Sequence, residues 1–389
     1  MIKAGEFYCI HCGKAHSLNQ VLWADRENQV AFSLKRGRFG YEADQLYGPG
    51  HIEDFAVKEV WTLNGFPKSV LVEYTITKAG KSEKKRRKLD KSARVCPGCF
   101  NRNQGVWRGL LPDAGFYPSY FIALAGVMET GKTVFQTAVR KQGILSTAKN
   151  TEIRFLNDFT AEEKTVDGVL KKAPLPTPLE GVQSTCISVR YRYRDQAKVY
   201  LIDTAGELGI YENHESEKAD QAKYIIADHC DGLLALYDPR YMKSPELSSY
   251  KKKREPLKGS INLILNDAAH RKLPITIMMS GADRLKVIAL EKAGIHDEEG
   301  NLILSPDCEL LRNMPFSRRN IIRHCILARD VFEAVGINTK ISEETGCFLV
   351  SSGRDSVVND ETVISYESTM NITYPVAWVL NQLGIMEIE

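Results

Sequence analysis

The first 110 positions carry short runs of β-branched and aromatic residues, Val30–Leu34, Phe55–Leu63 and Ser69–Thr77, broken by Gly, Asn and Pro turn signals. That pattern predicts a β-rich segment. A basic run follows from Lys78 to Arg94, with nine Lys/Arg against Glu83 and Asp90, and its Gly80-Lys81-Ser82 start predicts an exposed loop or hairpin tip. From Tyr120 the pattern changes. Short apolar runs at Phe121–Ala125, Val199–Ile202, Gly232–Tyr237, Ile275–Met279 and Phe348–Val350 are separated by longer, helix-compatible segments. Such alternation predicts a mostly parallel sheet covered by helices, an α/β arrangement. Residues 186–194 alternate strictly, with Ile187, Val189, Tyr191 and Tyr193 on one face and Ser188, Arg190, Arg192 and Arg194 on the other. With Asp195-Gln196 as the tight turn, this strand and Val199–Ile202 should form an antiparallel hairpin at the sheet edge. The expected domains are 1–112, β-rich, and 113–389, α/β.

Composition fits a globular chain: 389 residues, 43% hydrophobic and 26% charged, which excludes disordered, collagenous and fibrous classes. The longest apolar stretch, Tyr120 to Met128, is nine residues, too short to cross a bilayer. The N-terminus, MIKAGEFYCIHCG, has no apolar signal core, so the expectation is a cytoplasmic protein. Charge is unevenly placed. Residues 1–110 hold 19 Lys+Arg against 11 Asp+Glu, a balance of +8, and residues 111–389 hold 33 against 38, a balance of −5. The two parts should face different partners, and the basic run could meet nucleic acid, an anionic membrane or an acidic protein. No aromatic residue is interleaved within it, which argues against single-strand binding.

Residues 126–133 read GVMETGKT, a full G-x-x-x-x-G-K-[ST] match, with an apolar strand before it. Val134/Phe135 and Ala138/Val139 follow at helical spacing before Gly143. Glycines there let backbone N–H groups curl around phosphate oxygens at a helix N-terminus. The candidate nucleotide ligands are Gly126, Glu129, Thr130, Gly131, Lys132, Thr133 and Val134. Lys132 would reach the β- and γ-phosphates, and the Thr133 hydroxyl would hold Mg²⁺. The strand Val199–Ile202 ends in Asp203-Thr204-Ala205-Gly206. Asp203 at that tip can hold Mg²⁺ through water, and the Gly206 N–H can meet a γ-phosphate, so the following loop can sense it.

The nine cysteines include two CxxC pairs, Cys9/Cys12 and Cys96/Cys99, and five scattered ones, Cys186, Cys230, Cys308, Cys325 and Cys347. The odd count argues against a disulfide framework, and the scattered five read as small buried hydrophobes. The two pairs have zinc-knuckle spacing, and together they make a closed, structural Cys₄ set. The 83 residues between them require a β subdomain inserted between the knuckles. A redox pair is the alternative, and His11 and His16 are substitute ligands.

With these motifs in place, residues 118–385 resemble a Ras-like, translation-factor-class GTPase. The resemblance rests on GVMETGKT, on Asp203–Gly206, and on two further strand ends: Ser280-Gly281-Ala282-Asp283, where the family carries its base-reading motif, and Ser351-Ser352-Gly353, where it carries a loop over the base. It implies GTP/GDP and Mg²⁺, with Ser280, Asp283, Ser351 and Ser352 at the guanine. Gly281 stands where the family has Lys. The resemblance further implies a first switch whose Thr binds Mg²⁺, with Thr177 as candidate and Thr185 as alternative, and a second switch over 207–228. Glu207 follows Gly206 where the family most often has a water-orienting Gln, which implies slow hydrolysis with Lys132, Thr177, Gly206 and Glu207 as the catalytic set. A zinc-ribbon front end on such a domain is similar to bacterial double-GTPase families proposed to act in conflict or anti-phage systems. The closing segment Tyr374-Pro375 into Trp378-Val379-Leu380 resembles their last helix.

The reading is a partner-regulated GTP-binding switch with slow, Mg²⁺-dependent hydrolysis and a zinc-bound front module. The alternatives are a P-loop ATPase and a non-hydrolysing, nucleotide-bound zinc scaffold.

Overall fold

The computed structural model describes residues 1–10, 12–48, 51–78, 80–100, 108–111, 113–126, 131–142, 144–148, 151–156, 165–166, 169–170, 182–204, 229–237, 265–266, 268–280, 316–334, 339, 341, 344–351, 354–358, 361–365 and 371–388. They form two compact units, Met1–Ser119 and Tyr120–Glu389. Among the described residues no helix is long and apolar enough to cross a membrane.

In the first unit β1 (Glu6–Cys9) and β2 (Lys14–Ser17) form a small hairpin. Strands β3 (Leu22–Asp25), β4 (Val30–Gly37), β5 (Gly40–Tyr47), β6 (His51–Leu63), β7 (Phe66–Lys78), β8 (Lys81–Leu89) and β9 (Arg94–Val95) follow. They make two antiparallel sheets, in orders β5-β4-β3-β9 and β6-β7-β8. Trp23, Val30 and Phe32 from the first sheet share one core with Val70, Val72, Tyr74, Ile76 and Leu89 from the second. A polar network sits among them. Asp25 accepts hydrogen bonds from the Tyr74 hydroxyl (2.7 Å) and the Asn28 amide (2.9 Å), and the Arg87 guanidinium lies 3.2 Å away. Burial alone would push the Asp25 carboxyl up, but these donors and the Arg87 charge hold it below its ordinary value. Arg87 therefore points inward from β8 and ties that strand to β3.

The start of the basic run is thus the expected hairpin tip, and the rest of the run, Lys81–Leu89, is a paired strand and not a loop. The turn lies at Gly80, whose φ of +77°, like the +82° of Gly65 in the β6–β7 turn, falls in the left-handed region that favours glycine. Ladder pairing of β8 with β7, and the inward alternation of Arg87 and Leu89, outweigh the strand-unfriendly lysines.

The second unit contains an eight-stranded mixed sheet. Its members are β10 (Ser119–Ala125), β11 (Ile144–Ala148), β12 (Thr151–Leu156), β15 (Val182–Tyr191), β16 (Arg194–Thr204), β17 (Gly232–Tyr237), β18 (Ile275–Met279) and β19 (Gly346–Leu349), in spatial order β11-β12-β15-β16-β10-β17-β18-β19. The run β10-β17-β18-β19 is parallel. A smaller antiparallel sheet joins β13 (Thr165–Val166), β14 (Val169–Leu170), β21 (Glu361–Ser365) and β20 (Arg354–Val358). Among the described residues, α1 (Lys132–Lys141), α2 (Arg318–Ala334) and α3 (Thr373–Gln382) accompany them, with further helical residues at 265–266 and 268–270. The described residues are mostly sheet, more so than the alternating pattern implied.

The expected hairpin exists as β15–β16, with two corrections. Its turn falls at Arg192 and Tyr193, both at positive φ (47° and 66°), the geometry of a primed hairpin turn. It also lies inside the sheet, because β12 pairs with β15 and β11 forms the edge.

Helix α3 seats closely on the parallel strands. A Cβ at Gly346 would stand 2.7 Å from the Trp378 ring, and one at Gly232 would stand 2.8 Å from Val379. On α2, His324 is buried, accepts the Leu349 N–H at Nε2 (3.0 Å) and stacks on Phe348. Burial pulls its pKa down to about 4, below the unfolded value of about 6.5. The folded state therefore binds fewer protons. Stability from this group is complete above about pH 6.5 and is lost as pH falls toward 4, by about 3 kcal/mol. Urea midpoints of the unmodified chain should fall more steeply over pH 6.5–4.5 than those of His324→Gln; equal slopes would show that His324 is not the acid-sensitive group.

Candidate functional site

The parallel strands β10, β17, β18 and β19 end level with one another, since Ala125 pairs with Ala235, Tyr237 with Met279, and Met279 with Leu349. The carboxyl end of a parallel sheet is where the loops of such folds gather around ligands. Gly126 follows β10 here, Ser280 follows β18, and Val350-Ser351 follows β19. Ser280 is buried and directs both its N–H and its hydroxyl to the Tyr237 carbonyl, at 2.8 and 3.2 Å. The Val350 N–H reaches the Met279 carbonyl at 2.9 Å. Ser351 is fully buried beside it.

Gly131 opens α1 at φ +82°, a conformation that L side chains rarely adopt. Among the described residues a Cβ there would meet Ser280 alone, at 3.9 Å, so the backbone angle selects glycine and Ser280 stands beside the start of α1. No side chain caps α1, which leaves its first N–H groups directed at whatever lies beyond the N-terminus. Lys132 is buried and donates to the Gly126 carbonyl at 2.9 Å, so its ammonium bridges the two ends of the loop. Burial lowers its pKa, and the Asp203 carboxylate opposes that shift. Thr133 donates its hydroxyl to Asp203 Oδ2 at 2.9 Å, with Asp203 fully buried near the end of β16.

One positioning residue escaped the sequence reading. Gln136 is buried on α1 and donates to the Leu201 carbonyl at 2.9 Å. It fixes the helix against β16 and so holds Thr133 beside Asp203. Its only signal is a polar residue next to Phe135 on the apolar stripe of the helix.

The structure thus brings Gly126, Gly131, Lys132, Thr133, Asp203 and Ser280 to one end of the sheet, with Val134 on the same helix and Ser351 at the next strand end. Thr185 is buried in mid-strand of β15, opposite Leu201. Glu129, Thr130, Thr177, Gly206, Glu207, Gly281, Asp283 and Ser352 lie outside the described residues.

The four cysteines form the second site. Cys9 and Cys99 Sγ are 3.5 Å apart, Cys12 and Cys96 Sγ are 3.8 Å apart, and all four sulfurs lie within 4.8 Å of one another. A disulfide requires about 2.05 Å. A tetrahedral zinc with ligands at about 2.3 Å separates its sulfurs by about 3.8 Å, so the set fits the metal. Tight backbone turns aim the thiols: the Gly13 N–H reaches the Cys9 carbonyl at 3.0 Å, and the Cys99 N–H reaches the Cys96 carbonyl at 3.2 Å. Without a cation the clustered thiols hold their protons. Hydrogen bonding to Cys9 pushes Cys96 up to about 12 and raises Cys99, and burial raises Cys12. A divalent cation supplies the positive charge that reverses this balance. His16 places Nε2 3.4 Å from Cys12 Sγ and stacks on Phe7, which puts it against a ligand sulfur and outside the four-sulfur set. His11 lies outside the described residues.

No family model matches this chain, and no curated protein matches it. Solved structures similar to it include the translation elongation factor SelB from Methanococcus maripaludis in complex with the GTP analogue GppNHp. That match has 11% identity and a TM-score of 0.23, and it covers 43% of this chain and 23% of that one. The G domain of the T. maritima FeoB iron transporter matches at 17% identity and a TM-score of 0.22, covering 43% of this chain and 76% of that one. The chain spans less than a quarter of the SelB chain. Both scores lie well below one half, so the functional reading rests on the chain's own residues.

Proposed function

We propose that this chain is a GTP-binding switch, with a P-loop GTPase domain of α/β type behind a zinc-bound front module. The observation that carries the reading is the hydrogen bond from Thr133 to Asp203. It joins the last residue of the phosphate loop to the strand-tip acid, the two groups that would hold Mg²⁺ in this class. Bound there, Mg²⁺ would neutralise charge on the β- and γ-phosphates. Lys132 would turn its ammonium from the Gly126 carbonyl to the phosphate oxygens, and the uncapped N–H groups of α1 would receive them. Ser280 and Ser351 would border the base, and Asp283 would accept from guanine N1–H and the exocyclic amine. Thr177 would complete the Mg²⁺ shell. Glu207 can only accept a hydrogen bond and repels phosphate oxygens, so hydrolysis should be slow, at or below about 10⁻² s⁻¹, and should wait on a partner. A role in a bacterial defence system is part of the same proposal.

Base recognition supplies the test. Asp283→Asn should weaken GTP and favour xanthosine triphosphate, because an amide can donate to the extra carbonyl of xanthine. Competition between the two nucleotides on both proteins measures it. Unchanged preference for GTP in the variant would remove Asp283 as the base reader.

A further inference from the structure

The basic strand β8 belongs to the unit Met1–Ser119 and carries none of the residues proposed to hold nucleotide, and its geometry is specific. Its burial alternates, with Lys84, Arg86 and Lys88 exposed and Leu89 buried. Alternate residues of a strand share one face and stand about 7 Å apart. Three cations therefore form an evenly spaced row along the outer face of the β6-β7-β8 sheet. The run itself contains no aromatic residue, but the fold supplies one from another strand. Trp61 on β6 is 39% exposed, and the Lys88 ammonium lies over its ring at 4.6 Å. Glu73, opposite Arg86 on β7, is matched by Lys58 at 3.6 Å and Arg86 at 3.4 Å. Glu59 and Glu53, opposite Leu71 and Thr75, share the face, which Lys58, Lys84, Arg86 and Lys88 still leave net positive. A second pair stands at one end of this sheet. Phe39 is 92% exposed at the β4–β5 turn, with Arg38 over its ring at 5.4 Å. The Tyr41 hydroxyl donates to the Gly65 carbonyl at 3.3 Å, which brings that turn alongside the β6–β7 turn.

We infer that the outer face of β6-β7-β8 binds single-stranded nucleic acid, with Lys84, Arg86 and Lys88 following the phosphates and Trp61 stacking on a base. A row of cations beside an exposed ring is what sequence-tolerant strand binding requires. A duplex presents no unstacked base to the ring, so single strands are the better fit. Lysines on an edge strand also block sheet extension. That role needs no ligand, and a binding measurement separates it from this one.

The test is fluorescence anisotropy of the full chain with a labelled 20-nucleotide oligo(dT) and oligo(U), from low to moderate salt. The inference expects binding whose affinity falls with salt. Combined Lys84→Gln, Arg86→Gln and Lys88→Gln should flatten the salt slope by about 2, since each single-strand phosphate contact contributes about 0.7. Trp61→Ala should weaken binding about 5- to 150-fold, the range of base–aromatic stacking, while Trp61→Phe retains most of it. These side chains are exposed, so zinc content and far-UV circular dichroism should match the unmodified protein. The inference is overturned if neither oligonucleotide binds at low salt or if the variants bind as the unmodified chain does. Duplex DNA binding as tightly as the single strand would also overturn it. So would binding to 30% phosphatidylserine vesicles in place of oligonucleotides, which would assign the face to a membrane.

Discussion

Replacing Cys96 by Ser is expected to destabilise the unit Met1–Ser119 far more than the unit Tyr120–Glu389. Cys96 is fully buried, and its sulfur stands 3.8 Å from that of Cys12 in a set with tetrahedral spacing. Structural zinc contributes on the order of 10 kcal/mol to the folding of a small module, comparable with the whole stability of an ordinary domain. With three sulfurs the closed tetrahedral set is lost, and the remaining thiols keep their protons in place of binding the metal. Elemental analysis should find about one zinc per chain in the unmodified protein purified without chelators, and less in the variant. Limited proteolysis should cut the variant first within residues 1–119. Absence of zinc from the unmodified protein, or equal protease resistance of the variant, would refute the assignment.

Lys132→Ala should lower affinity for triphosphate about 10²- to 10³-fold, because truncating one partner of a buried, charge-assisted contact costs several kcal/mol. The lysine is buried and donates to the Gly126 carbonyl across the loop, a contact that links two surface-loop ends and not two core elements. Isothermal titration with GTP and Mg²⁺ measures the loss, with thermal denaturation as the folding control. Unchanged affinity in a folded variant would dismiss the phosphate-loop assignment.

Both sites could be read along the chain because their chemistry ties residues to fixed spacings. The loop needs its glycines and lysine within eight positions, and each zinc knuckle needs its pair within four. Strands β17 and β18 match their expected bounds because each is a short apolar run bounded by polar residues or, before Ile275, by Pro274. Other features depended on contacts distant in sequence. The β15–β16 turn was misplaced because Arg192 and Tyr193 take positive φ without the Gly or Asn that usually announces it. The hairpin looked like an edge because nothing near Thr151–Leu156 signals that it pairs with β15. The basic run read as a loop or hairpin tip, and the strand beyond the tip went unread because its partner β7 and its inward contact, Arg87 to Asp25, cannot be seen in local composition. Trp61 and Lys88 stand 27 positions apart, and only the sheet brings them together. Likewise, Gln136 became a positioning residue only once α1 was seen against β16.

Equilibrium titration of the full chain with fluorescent GTP and ATP analogues, with and without Mg²⁺, tests the GTP-binding switch most directly. The expected result is tight binding of GTP that weakens when Mg²⁺ is removed, with a preference over ATP of at least about tenfold, or about 1.4 kcal/mol. Equal affinity for the two nucleotides, or no binding of either, would contradict it.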